Sequence, residues 1–264
     1  MRHYGIIGYP LHHSFSAKFF NEKFEREQIE AEYSLYPTPA ESLPEKFEHL
    51  LSTLDGLNVT LPYKQAVIPY LDQLDETAEA IGAVNVVYKR VGYNTDCLGF
   101  MESIRPLLRA TDRKALVLGT GGASKAACYG LRKLGVEPTL VSRNPQPGIL
   151  GYSDLDEQLM SEYTIIVNCT PLGMYPDIEA CPEIPYQLIS ARHLLFDCIY
   201  NPEETLFLKR GKAQGATIRN GLEMLLGQAK AAWKIWEGVR RDPYPDNGST
   251  MARHWLDKGS KVEH

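Results

Sequence analysis

Apolar residues recur along this chain in two rhythms, and each change of rhythm predicts a change of secondary structure. Tyr4-Gly5-Ile6-Ile7-Gly8 is a short apolar run closed by a turn at Pro10, which predicts a strand. A helix is predicted from residue 16 to 28, then strands at 31–36, 57–61 and 83–88 with helical stretches between them. A second alternation begins near residue 99. Residues 114–118 form an apolar strand pattern that runs into glycines, and a helix follows to about residue 134. Strand patterns return at 139–142, 164–168 and 194–200, with 217–219 a candidate for one more. In the last helix, 221–237, Leu222, Leu225, Leu226, Ala229, Trp233 and Trp236 keep a 3.6-residue period. From Arg240 onward the chain reads as a loop and an uninformative tail. Alternating strand and helix predict the α/β class with parallel sheets, in two units, the final helix returning to pack on the first.

Composition narrows the class further. The chain has 264 residues, 44% hydrophobic and 23% charged, as in a globular protein able to bury a core without disulfides. Its net charge of −5 argues against a nucleic-acid partner, and no apolar run reaches the ~18 residues of a membrane span. The first residues, MRHYGIIGYPLHHS, do not resemble a secretory signal. Five cysteines, at 97, 128, 169, 181 and 198, are dispersed without a CxxC pair, so neither a disulfide framework nor a metal site is expected, and a cytoplasmic setting is.

Candidate chemistry enters at Gly119-Thr120-Gly121-Gly122-Ala123-Ser124, which lies between a predicted strand and a predicted helix. In that context a glycine-rich turn binds a dinucleotide: Gly119 permits the tight turn, Gly121 lets the backbone approach a pyrophosphate, and the amides opening the helix face the anion. Ser124 stands where the motif's third glycine is expected. The next strand ends in Ser142-Arg143-Asn144, without the carboxylate an NAD ribose requires, and the Arg143 guanidinium suits a 2′-phosphate. NADP is therefore expected over NAD.

Four segments of the first unit carry polar groups that packing alone does not ask for. Ser14 and Ser16 precede the first helix and fit either an N-cap or an incoming carboxylate. Asn58 and Thr60 share one strand face, either solvated or lining a pocket, before Pro62 ends the strand and the turn presents Lys64. Asn85 interrupts the apolar run 83–87, so a buried amide must find partners in backbone or ligand. Asn94-Thr95-Asp96 reads locally as an Asx-type turn.

Taken in order, GYPLHHSFS (8–16), NVTLPYK (58–64), GAVN (82–85), NTD (94–96), GTGGAS (119–124), NCTPLGM (168–174), DCIYNP (197–202) and NGLEMLLGQ (220–228) resemble the shikimate dehydrogenase family. The resemblance spans residues 4 to about 238. It implies two α/β domains, a discontinuous substrate-binding domain (1–98 plus 221–264) and an inserted Rossmann-type NADP-binding domain (99–220). The implied reaction is the reversible reduction of 3-dehydroshikimate to shikimate with NADPH, in aromatic amino-acid biosynthesis. Carried over by residue, it implies Lys64 and Asp96 as the catalytic pair. Ser14 and Ser16 would hold the substrate carboxylate, and Thr60, Asn85, Asp96 and Gln228 its hydroxyls. Asn58 would support that pocket and Tyr200 complete it. Residues 119–124, Ser142, Arg143, Asn144, Thr170, Ile199 and Gly221 would face the nucleotide, with Glu76 near its nicotinamide. Two departures stand out: no second basic residue follows Arg143, and Cys97 and Cys198 occupy positions the family usually fills with glycine and an aliphatic residue. Two alternatives stay open, a quinate/shikimate dehydrogenase using NAD or NADP and a non-catalytic ligand sensor of the same fold. The resemblance leaves the oligomeric state at monomer or homodimer.

Overall fold

The computed structural model describes residues 1–12 and 14–238, so His13 and the tail from residue 239 lie outside it. The described residues form two six-stranded sheets. The first contains β1 (Arg2–Gly8), β2 (Ala31–Pro37), β3 (Gly56–Val59), β4 (Gln73–Leu74), β5 (Val86–Tyr88) and β6 (Val91–Tyr93), in the order β2-β1-β3-β5-β6-β4. Helices α1 (Phe15–Glu27), α2 (Leu43–Thr53) and α3 (Glu76–Ile81) connect them. After α4 (Asp96–Ile104) the second sheet is built from β7 (Lys114–Leu118), β8 (Glu137–Val141), β9 (Ile149–Leu150), β10 (Ile165–Asn168), β11 (Leu194–Asp197) and β12 (Thr217–Arg219). Its helices are α5 (Gly122–Lys133), α6 (Glu157–Glu162) and α7 (Leu206–Ala213), and α8 (Leu222–Trp236) closes the described chain.

The second sheet is parallel throughout, in the order β12-β11-β10-β7-β8-β9. Counted along the chain this is the 3-2-1-4-5-6 order of dinucleotide-binding folds, and β7 sits at the switch point where a ligand crevice opens. Its central strands β7, β10 and β11 are buried on both faces, which explains their near-continuous apolar runs.

The first sheet departs from expectation by being mixed. β3 pairs antiparallel with β5, and β5 antiparallel with β6. The strand expected at 83–88 begins only at Val86, and Val91–Tyr93, where no strand is expected from the sequence, is a strand. Lys89 and Arg90 form the two-residue turn with φ of 49° and 61°, a conformation that usually advertises itself through Asn or Gly. The Arg90 guanidinium offsets that strain by bonding Glu48 (2.8 Å) and Asp72 (3.1 Å). Two other strands end early. β3 stops at Val59 because Tyr63 N–H closes a turn on Thr60 O (2.9 Å), and β11 stops at Asp197 because its carboxylate takes the Ile199 N–H (3.0 Å).

Each sheet has its own core, and two helices join them. Met224 of α8 packs with Phe100 and Ile104 of α4 against the second sheet. Leu226, Ala229, Ala232 and Trp236, farther along α8, pack with Tyr4 and Phe20 of the first. The expected return of the last helix to the first unit is thus observed. The helices touch through glycine, since a Cβ on Gly99 would stand 2.2 Å from Met224 O.

Candidate active site

The site begins where the chain after β3 turns toward α5. Pro62 cannot extend the ladder, and the turn that follows presents Lys64, whose carbonyl accepts the Val84 N–H at 2.7 Å. Asn94 clamps the next piece: its Nδ2 donates to Ala83 O (2.9 Å) while its Oδ1 accepts the Cys97 N–H (3.3 Å), setting the start of α4 against residues 83–85. Asp96, the first residue of α4, is thereby placed opposite Lys64, and Lys64 Nζ lies 2.6 Å from Asp96 Oδ2. Both side chains are mostly sheltered, 17% and 11% exposed, so the ion pair is dry enough to hold one orientation.

Asn85 is the hub. Its Oδ1 accepts the Thr95 N–H (2.7 Å), and its Nδ2 donates to Asp96 Oδ1 (2.9 Å) and Thr95 Oγ1 (3.0 Å), with Gln228 Oε1 of α8 at 3.5 Å. Both carboxylate oxygens of Asp96 are thus engaged. Asn58 is not solvated: all four residues of β3 are buried. Its Nδ2 donates to Asn85 O (3.1 Å), and its Oδ1 accepts the Tyr33 hydroxyl (2.7 Å). Burial drives the Tyr33 phenol well above its ordinary pKa, against a smaller lowering by its hydrogen bond with Ser16, so it remains a donor.

Ser14 stands at the N-cap of α1, yet its hydroxyl makes no capping bond, which removes the purely structural explanation for it. Ser16, two residues on, is buried. Thr60 lies just beyond β3 rather than on it, its methyl packed where only Gly8 leaves room: a Cβ there would be 2.4 Å from Thr60 Cγ2. Tyr200 approaches from the second sheet and meets Phe15 edge to face, 6.1 Å between centroids, beside the two serines. Glu76 stands exposed at the start of α3.

The nucleotide side is assembled from strand ends. Gly119 has φ of +102° and packs within 3.3 Å of Cys169 O when given a Cβ, a turn only glycine adopts readily. Thr120 and Gly121 are exposed, a Cβ on Gly121 would meet nothing, and the first turn of α5 carries no acid. Those free amides and the helix dipole fit an anion. Arg143 is exposed after β8 and forms no ion pair with a described residue, beside a small turn in which Ser142 Oγ accepts the Asn144 N–H (3.2 Å). Ser124 faces inward, fully buried, its Oγ unpaired, while Ala123 is half-buried. Thr170 donates to Asn168 Oδ1 (2.7 Å), and Ile199 O accepts the Gly221 N–H (3.0 Å), both Ile199 and Gly221 being buried. These residues fit a phosphorylated dinucleotide. The two halves meet at Lys64, because a Cβ on Gly122, the first residue of α5, would stand 3.5 Å from Lys64 Cδ.

A relative from Clostridium beijerinckii named shikimate dehydrogenase (NADP(+)) is 41% identical, over 92% of this chain and 94% of its own. The chain belongs to the shikimate dehydrogenase family. The family's substrate-binding domain model matches residues 6–87. Among solved structures, the shikimate dehydrogenase of Aquifex aeolicus superposes with a TM-score of 0.81 at 35% identity, covering 92% of this chain and 94% of that one. The shikimate 5-dehydrogenase of Thermus thermophilus, solved with NADP(H) and shikimate, gives 0.81 at 32% identity, covering 92% and 96%.

Sequence reasoning missed the supports of this family site. Tyr33 was an ordinary strand tyrosine, with no local signal that it reaches across to Asn58. Asp197 did carry one, a lone acid closing the apolar run of β11. Its carboxylate accepts from Thr205 Oγ1 (2.6 Å), Ile199 N (3.0 Å) and Asn168 Nδ2 (3.1 Å), and so ties together the strand ends beside Gly119 and Gly221.

Proposed function

We propose that this chain is an NADP-dependent shikimate dehydrogenase that reduces 3-dehydroshikimate to shikimate reversibly, and so serves aromatic amino-acid biosynthesis. The observation that carries the reading is the Lys64–Asp96 pair, 2.6 Å apart and set against the first turn of α5. When bound, NADPH supplies hydride to the substrate's C3 carbonyl carbon. As negative charge builds on the carbonyl oxygen, the Lys64 ammonium stabilises it and delivers the proton; in oxidation Lys64 takes that proton back. Asp96 holds the ammonium in place, and Asn85 holds Asp96. Ser14 and Ser16 bind the carboxylate, Thr60, Asn85, Asp96 and Gln228 the ring hydroxyls, Asn58 backs that pocket, and Tyr200 closes it.

NADP is held by Gly119–Ser124, Ser142, Arg143, Asn144, Thr170, Ile199 and Gly221, with Glu76 toward the nicotinamide. Arg143 selects the 2′-phosphate. The domains are 1–98 with 221–264, and 99–220, so α4 runs across the boundary between them. Five cysteines without a disulfide fit a cytoplasmic enzyme, acting as monomer or homodimer.

Shikimate and quinate are each offered with NADP and NAD while nicotinamide absorbance is followed. Shikimate with NADP is expected to turn over fastest, and Arg143→Ala to raise KM for NADP far more than for NAD. A protein that reduces neither cofactor with either substrate overturns the assignment, and a preference for quinate corrects the substrate.

A further inference from the structure

Cys169 and Cys198 are used by no step above, yet the fold sets them side by side. They follow β10 and β11, parallel neighbours whose register pairs Asn168 with Asp197, so the two cysteines are the next cross-strand pair. Their Sγ atoms lie 3.5 Å apart. Adjacent strands run about 4.8 Å apart, inside the ~4.4–6.8 Å between Cα atoms that a disulfide tolerates. Closing to the ~2.05 Å of a sulfur–sulfur bond moves the atoms by about 1.5 Å. Cys169 and Cys198 are partly exposed, as is Cys181, whereas Cys97 and Cys128 are buried, so a small oxidant reaches the pair ahead of those two thiols.

The backbone around the pair abuts two glycines of the nucleotide side. Gly119 packs on the Cys169 carbonyl, and a Cβ on Gly221 would fall 2.2 Å from the Cys198 carbonyl oxygen. Gly221 leaves no room for even a Cβ there, and at Gly119 one would be tight. A shift of the strand ends passes directly into the turn before α5 and the start of α8.

We propose that Cys169 and Cys198 form a reversible dithiol–disulfide pair, oxidised by a peroxide, whose closure weakens NADP binding. The consequence for NADP rests on the function proposed above; the bond itself does not. Hydrogen bonding with Cys198 and burial hold the Cys169 thiol well above its ordinary pKa. One thiol of the pair attacks hydrogen peroxide, becomes a sulfenic acid and releases one water. Its neighbour, 3.5 Å away, then attacks that sulfur, expelling a second water and forming the disulfide. Two thiols lose two electrons and two protons, and one peroxide becomes two waters. A thiol reductant reverses the step.

The reduced full chain is treated with one equivalent of hydrogen peroxide and unfolded for thiol counting. Free thiols are expected to fall from five to three. A non-reducing peptide map is expected to join the peptides carrying Cys169 and Cys198. The KM for NADP, and the Kd for NADPH read from its own fluorescence, are expected to rise at least about 5-fold, the low end of usual coupling between sites. Dithiothreitol restores both, and neither Cys198→Ala nor Cys169→Ala forms the linkage or shows its loss of NADPH affinity with one equivalent of peroxide. Five surviving thiols, a different linkage, or the mapped linkage with unchanged NADPH affinity each overturn the proposal. A chain that lacks dehydrogenase activity but shows the mapped bond and a peroxide-sensitive NADPH affinity fails the functional assignment alone.

Discussion

The Asn85 amide bonds Thr95 and Asp96 and approaches Gln228, so the carboxylate that holds Lys64 is itself held. Such preorganisation matters because a proton donor contributes only when aimed at the charge as it forms. Lys64→Ala is expected to lower kcat at least ~10²-fold, the usual worth of a positioned acid–base group, with a much smaller change in KM. Steady-state kinetics with shikimate and NADP checks this, and an unchanged kcat removes Lys64 from the chemistry. Tyr33→Phe deletes the donor to Oδ1 of Asn58, a residue only 4% exposed. A loss of about 1–3 kcal/mol in chemical denaturation is expected for an unsatisfied buried acceptor. KM for shikimate should rise while that for NADP stays put; if both are unaffected, the Tyr33 bond is packing alone. Lys64 and Asp96 were legible in the sequence through their motifs. Tyr33 was not, because its partner is 25 residues away and nothing near it breaks the strand pattern.

The elements that carry these residues were legible wherever their pattern was local. β7, α5 and α8 fall close to where periodicity put them. The hairpin of β5 and β6 was hidden because its turn uses Lys89 and Arg90, held by partners on α2 and ahead of β4. α4 was hidden too, since its Asn-Thr-Asp start reads as a turn until α8 covers it. That contact sets a sharp test. Gly99→Val would place a Cβ 2.2 Å from Met224 O and 2.8 Å from Gln228 N, both backbone atoms that cannot swing away. A loss of about 1–3 kcal/mol and a raised KM for shikimate are expected from such overpacking, read by thermal unfolding and kinetics. Gly121→Ala, where a Cβ meets nothing, should leave Tm unchanged and raise only KM for NADP. Equal losses of stability in the two variants would refute this reading of the helix crossing.

Folding of the entire chain is tied to pH through Asp197. Burial, opposed by its three hydrogen bonds, lifts this carboxyl from 3.8 to about 7. A raised acid favours the protonated form on folding, so its contribution to stability is complete below about 3.8 and is lost as pH climbs toward 7. Asp197→Asn keeps the acceptor but cannot ionise. Its Tm relative to the parent chain is therefore expected to improve from about pH 5 to about pH 8, and a constant difference would show that the carboxyl ionises normally.

Strand, turn and helix are decisions a chain makes over a few residues, from periodicity, proline and glycine, and the amino-acid order was sufficient for the two α/β units, the anion-ready turn before α5 and the motifs that carry Lys64 and Asp96. Pairing across long separations is another matter. That Tyr33 meets Asn58, that α8 crosses α4 at Gly99, that Cys169 faces Cys198 and that the first sheet is mixed depend on which surfaces bury each other once loops close. Burial belongs to the packed molecule, so these were settled only in three dimensions.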